Sequence, residues 1–217
     1  MSEAFSLETL KGDVSAAWHD GGKNASALVV AHGAGAGMDH PFMKGFCEEL
    51  AAQGVSALRF NFPYLEAGRK SPGSPKDATA AVVVAVDAAT TRTGGRPVFA
   101  GGKSYGGRMA SMAAADGMPA AGLVFLGYPL HAPGRSDQPR DEHLYGLKIP
   151  MLFVQGTKDP FADPDVLAGV LRKLGTRATY VPFEDAGHSF ERSRKDKPRD
   201  NAAQLVPFVV DFVKANS

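Results

Sequence analysis

The sequence predicts an α/β fold, a mostly parallel central sheet with helices on both faces, built by residues 1–217 as one domain. Three observations predict it. Short apolar runs without polar alternation recur from residue 27 onward, as in strands covered on both faces. A longer stretch with apolar residues at helical spacing follows most of these runs, and such alternation requires crossovers that leave neighbouring strands parallel. The chain has 217 residues, 44% hydrophobic and 22% charged, with no repeat or linker to divide it. That is enough to bury one sizeable core.

Residues 5–20 are expected to add one or two edge strands. Ala27–Ala31 is the first strong strand, and Phe42, Met43, Phe46, Cys47 and Leu50 form a helical stripe closed by Gly54. Val55–Phe60 is the next strand. A loop rich in Pro, Gly and Ser follows, and Ser74-Pro75 starts a helix running to about Thr91. Pro97–Ala100 is a strand, then a helix runs from about Tyr105 to Gly117. Gly122–Leu126 and Met151–Val154 are strands, separated by a Pro-, Gly- and charge-rich interval. Asp163-Pro164 opens a helix carrying Leu167, Val170, Leu171 and Leu174, and Gly175 ends it. Ala178–Val181 is the last strand. The final helix sets Leu205, Phe208, Val209, Phe212 and Val213 on one side. Residues 191–200, with five basic and three acidic side chains, are expected to be a solvated loop.

Composition excludes several function classes. Lys plus Arg is 24 and Asp plus Glu is 23, a net charge of +1, so no basic field favours nucleic acid or a membrane surface. One cysteine, Cys47, excludes an intramolecular disulfide and a multi-thiolate metal site. No metal or other cofactor is expected. The start of the chain lacks the apolar segment of a secretory leader, and no run is long enough to cross a bilayer. A soluble cytoplasmic protein is the expectation.

The chemistry concentrates in Gly102-Lys103-Ser104-Tyr105-Gly106, a G-x-S-x-G pattern directly after a strand and before a helix. In that context it predicts a sharp turn that lifts a serine hydroxyl above the sheet. Two rivals fail. A phosphate-binding loop needs Gly at 97, which is Pro97, and a dinucleotide fingerprint in His32–Gly37 meets Met38 or His40 where its third glycine belongs. A serine nucleophile needs a base, and the base needs an orienting acid. Of six histidines, only His188 follows the last strand, beside Gly187. Gln155-Gly-Thr-Lys-Asp159 directly follows the Met151–Val154 strand and offers Asp159 as the acid. Asp185, three residues from His188, is the competing acid and is expected to face solvent.

Ser104, Asp159 and His188 in that chain order resemble the α/β-hydrolase arrangement. His32-Gly33-Ala34-Gly35, Gly102–Gly106, Gln155–Asp159 and Ala186-Gly-His188 together resemble the small, lidless, dienelactone-hydrolase-like members. Met38–Phe42 and Arg59–Tyr64 add a likeness to a serine-using branch, some of whose members belong to chromatin-modifying complexes. Dienelactone hydrolases proper use a cysteine, whereas this chain has Ser104. The resemblance implies an oxyanion hole from the backbone N–H groups of Ala34 and Tyr105, with His32 supporting the loop. The interval Tyr128–Ile149 is too short for a lid domain. Met38, Phe42, Tyr64 and His131 are candidate substrate-lining residues, set against core or loop packing. The expected activity is serine-dependent cleavage of a small-molecule ester or thioester through an acyl-enzyme. The alternative is a catalytically silent, hydrolase-fold module that binds other proteins.

Overall fold

The computed structural model describes residues 2–217. Its centre is an eight-stranded sheet: β1 (Ser2–Thr9), β2 (Gly12–His19), β3 (Ala27–Ala31), β4 (Ser56–Phe60), β5 (Val98–Lys103), β6 (Leu123–Leu126), β7 (Met151–Gly156) and β8 (Ala178–Phe183). The strand order is β1-β2-β4-β3-β5-β6-β7-β8. β1 and β2 form an antiparallel hairpin, and β2 pairs antiparallel with β4. From β4 to β8 every pairing is parallel.

The helices are α1 (Pro41–Ala52), α2 (Pro63–Glu66), α3 (Pro75–Thr93), α4 (Tyr105–Ala115), α5 (Pro164–Leu174), α6 (Pro198–Ala203) and α7 (Val206–Ala215). α1, α3 and α5 begin with proline one residue after a side chain that accepts a backbone N–H: His40, Ser74 and Asp163. Proline suits this first position because its missing N–H has no partner to lose there.

The strands alternate between two cores. Val29, Ala100, Phe125 and Phe153 face α3, α4 and α5, while Leu28, Val30, Phe99, Val124 and Leu152 face α1 and α7. Both faces are dry, which is why these strands read as unbroken apolar runs. Each such Leu or Phe contributes about 1.5–3 kcal/mol through burial.

The structure refines the sequence reading at three places. β5 continues past Ala100 to Lys103, because its ladder with β6 extends through Lys103 opposite Leu126. Phe208 leaves the buried stripe of α7: it is 42% exposed and packs edge-on against Phe183 at the sheet margin. Residues 191–200 are all exposed, as expected of a solvated segment, and its last three open α6, which docks on α1 with Arg199 paired to Glu48 at 2.6 Å. Between Tyr128 and Ile149 the only regular element is a single five-residue 3-10 helix, Glu142–Gly146. No helix among the described residues is long and apolar enough to cross a membrane.

Candidate active site

Ser104 sits at the turn from β5 to α4 with φ 49° and ψ −113°. A side-chain-bearing residue reaches this region only at a cost of order 1–3 kcal/mol, so the surrounding structure must enforce it. Two glycines do so. A Cβ on Gly102 would lie 2.0 Å from the Ala31 carbonyl oxygen, and one on Gly106 would lie 2.1 Å from the same atom. β3 therefore presses against both sides of the turn, and only glycine fits. The Ser104 N–H continues the sheet by donating to the Leu126 carbonyl at 3.1 Å. The side chain is left at the N-terminus of α4, above the strand ends.

His188 Nε2 lies 2.8 Å from Ser104 Oγ, and its Nδ1 lies 2.7 Å from Asp159 Oδ2. A carboxylate only accepts, so Nδ1 carries the proton and donates to Asp159, leaving Nε2 to accept from the serine. Asp159 is 5% exposed and is held by two further donors: Gln155 Nε2 on Oδ2 at 2.5 Å and the Phe161 N–H on Oδ1 at 2.8 Å. Gln155 is fixed in turn by the Tyr128 N–H at 2.8 Å. The Phe161 ring lies against the imidazole with centroids 4.4 Å apart. The loops bearing Asp159 and His188 are stitched together by Lys158 N–H to the Ala186 carbonyl at 2.9 Å. Asp185 points away, paired on the exterior with Lys158 at 2.8 Å.

The N–H groups of Ala34 and Tyr105 donate to no protein acceptor among the described residues. Tyr105 opens α4, where the helix dipole favours negative charge. The loop bearing Ala34 is braced from the β4 end. Gly35 N–H donates to Tyr64 Oη at 2.9 Å, and Met38 N–H donates to Asn61 Oδ1 at 2.8 Å. Arg59, only 4% exposed, donates to the Met38 carbonyl at 2.9 Å and pairs with Asp39 at 2.5 Å. The sequence offers Tyr64 as a lining residue and assigns Arg59 and Asn61 no role at the site; here all three brace the loop that bears Ala34.

A cavity of about 470 Å³ adjoins Ser104 and His188, walled by Phe42, Met43, Phe161 and Asn201 among others. Of the four candidate lining residues only Phe42 borders it. Met38 is buried with its backbone on Asn61, and Tyr64 is turned toward Gly35. His131 is 3% exposed and braces the α5 start, accepting from Asp163 N–H at 2.8 Å. Hydrogen bonds hold the Tyr64 hydroxyl and the His131 ring on their own frameworks. Met43, Phe161 and Asn201 were missed, although Met43 belongs to the same helical stripe as Phe42.

Cys47 is enclosed beneath α1, where burial pushes its thiol up to about 12. Among the described residues no cluster of His, Cys, Asp or Glu is placed to hold a metal ion.

A family model described as an alpha/beta hydrolase domain matches residues 24–214. The chain belongs to the α/β-hydrolase family. Solved members share its fold at low identity. A lidless serine hydrolase from Xanthomonas campestris superposes with TM-score 0.73 at 20% identity, covering 97% of this chain and 94% of that one. A dienelactone hydrolase from Anabaena variabilis gives 0.76 at 20% identity, covering 100% and 98%. An esterase from Pyrococcus furiosus gives 0.77 at 15% identity, covering 99% and 91%.

In this hydrolase His32 is wholly buried. Its Nδ1 bonds the Gly33 carbonyl at 2.7 Å and its Nε2 accepts from Phe62 N–H at 3.1 Å. Only the neutral ring satisfies both, and burial lowers its pKa to about 4. Below the unfolded value of 6.5 the unfolded chain binds a proton that the folded one refuses. Stability therefore falls as pH drops from 6.5 toward 4, by up to roughly 3 kcal/mol from this residue. Urea midpoints should fall across that window, and less steeply in His32→Gln. An unchanged slope would refute the assignment.

Proposed function

We propose that this α/β-hydrolase cleaves small carboxylic esters or thioesters through an acyl-enzyme on Ser104. The observation that carries this reading is the bonded chain Ser104 Oγ, His188 Nε2, His188 Nδ1 and Asp159 Oδ2, mounted on a strained turn beside two unpartnered N–H groups. Ser104 Oγ attacks the carbonyl carbon as His188 Nε2 takes its proton. Charge gathers on the carbonyl oxygen, where the N–H groups of Ala34 and Tyr105 stabilise it; such donors contribute about 3 kcal/mol each in comparable sites. The carbon–oxygen or carbon–sulfur bond then breaks, and His188 returns the proton to the leaving group. Water repeats the sequence in reverse and frees Ser104. Asp159 keeps the imidazole in the correct tautomer and stabilises the imidazolium.

The cavity supports a small substrate. Phe42, Met43 and Phe161 offer apolar contact beside Ser104, and among the described residues the interval Tyr128–Ile149 holds only a five-residue 3-10 helix in place of a lid domain. Each CH₂ they bury adds about 0.8 kcal/mol, and the increment stops where the chain leaves the wall. In a panel of p-nitrophenyl esters, kcat/KM is expected to peak at acyl lengths of about two to six carbons, with no jump when substrate passes its solubility limit. Matched thioesters and peptides in the same panel fix the bond type. A steady rise to twelve carbons or more, or cleavage of peptides alone, would overturn this reading.

A further inference from the structure

The residue before the serine has an unusual position. Lys103 is 8% exposed, and its side chain passes to the α1 side of the sheet, where it borders the same cavity as Ser104 and His188. Its ammonium forms no ion pair within 4.0 Å among the described residues. The fully enclosed polar atoms left without a partner are Tyr105 Oη and Arg108 Nε, and Lys103 Nζ is not among them. It keeps access to the cavity. The Phe190 ring, 6.0 Å away, is its apolar neighbour. A lysine has three N–H donors. Burying them without acceptors is costly unless a ligand supplies one.

The charges around Lys103 decide what kind of acceptor fits. Asp159 and Glu191 both act on its ammonium electrostatically. Both carboxylates already hold other donors: His188, Gln155 and Phe161 N–H for Asp159, and Ser189 N–H for Glu191 at 2.8 Å. Asp196 also borders the cavity, engaged by Ser193 and the Arg192 N–H. His40, which also borders the cavity and feels the Lys103 charge, receives the Phe42 N–H at 3.2 Å on its Nδ1. The ammonium thus lies in the field of two carboxylates while its donors stay open. A third carboxylate brought there meets repulsion, whereas a neutral oxygen takes the hydrogen bond without it.

Building on the ester-hydrolase reading, we propose that Lys103 is a specificity-determining residue that donates to a neutral oxygen, a ketone, ether or hydroxyl, carried by the substrate a few bonds from the scissile carbonyl. The natural substrate class is then oxygenated short-chain esters rather than plain alkyl or dicarboxylic ones. Burial lowers the Lys103 pKa to about 8, while Asp159 and Glu191 pull it back up. The full charge that strengthens this bond is present below that pH.

The test compares p-nitrophenyl 4-oxopentanoate, pentanoate and hemisuccinate, and, for the alcohol side, the acetates of 2-methoxyethanol and butanol. In the wild type, kcat/KM should favour the oxygenated member of at least one neutral pair by about tenfold or more, the usual worth of a hydrogen bond to a charged group. The hemisuccinate should be no better than pentanoate. In Lys103→Met the preferred pair should converge to a ratio near one. Labelling of Ser104 by a fluorophosphonate verifies that the variant is folded, and the wild-type ratios stand without it. The wild-type preference should also weaken as pH rises through about 8. Reactivity differences intrinsic to the esters are the same in wild type and Lys103→Met, so the fall in the ratio between the two proteins is what reads Lys103. Equal rates within both neutral pairs, an unchanged ratio in Lys103→Met, or a lead for the hemisuccinate overturns the assignment of Lys103 while leaving ester hydrolysis intact. Absence of turnover on every ester removes both.

Discussion

A Ser104→Ala protein is expected to fold, to keep its cavity and to lose turnover by about 10⁴- to 10⁶-fold, with covalent labelling by a fluorophosphonate abolished. The size follows from removing the atom that forms the bond: His188 and the two N–H donors then have no nucleophile to serve. On the proposed mechanism, the residual rate over water would come from the oxyanion donors and binding alone. The same position carries a second, independent effect. Ser104 holds φ 49°, and alanine inherits that strain, whereas glycine does not. Ser104→Gly should therefore be more stable than Ser104→Ala by about 1–2 kcal/mol in urea titrations. Labelling that persists in the alanine variant would place the nucleophile elsewhere. Equal stability of the two variants would mean that the turn is not strained.

The second large effect is expected at Asp159. Its Oδ2 accepts from both His188 Nδ1 and Gln155 Nε2. An asparagine either sets its NH₂ against both of those donors, or keeps its oxygen there and sets the NH₂ against the Phe161 N–H that Oδ1 accepts. Either way the negative charge that balances the imidazolium during attack is lost, and in the first orientation so is the acceptor that fixes the tautomer. Asp159→Asn should lower kcat by about 10⁴-fold, as the same change does at an equivalent acid elsewhere. Asp185→Asn should change kcat less than about threefold, since an exposed ion pair contributes at most about 1 kcal/mol and the Asp185 carboxylate is paired with Lys158 on the exterior. Comparable losses at the two positions would mean that they share the role. A larger loss at Asp185 would transfer the role to it.

Much of the site was legible because its parts lie next to strong local signals. Ser104 follows a buried strand inside a glycine pair, Asp159 follows another strand, and His188 follows the last one. In a parallel sheet all such positions fall at the same edge, so strand order along the chain is enough to bring them near one another. Asp185 was separable from Asp159 on the same ground, because a residue three before the histidine in a tight loop has no path back beneath the ring. The pocket wall was not legible in this way. Met38 and Tyr64 lie in the right loops, but their orientation depends on bonds to Asn61 and Gly35 formed across the chain. Residues 191–200 gave only a solvated signal by composition, because mixed charge is silent about docking. The contact that places Glu191, Asp196 and Pro198 at the cavity is made through α6 and α1.

The sequence by itself determined the layer architecture, the chain order of Ser104, Asp159 and His188, and the sharp turn that Gly102 and Gly106 permit. Those features depend on local periodicity, on residue size and on the one-way geometry of parallel crossovers, all of which are written in neighbouring residues. Only the tertiary structure decided which face of each loop meets the cavity, that Arg59, Asn61 and Tyr64 brace the loop bearing Ala34, and that Lys103 stays without an ion pair among the described residues. Each of these depends on groups far apart in the chain competing for the same donors, and the winner is set by distances that exist only once the sheet has closed the gaps between them.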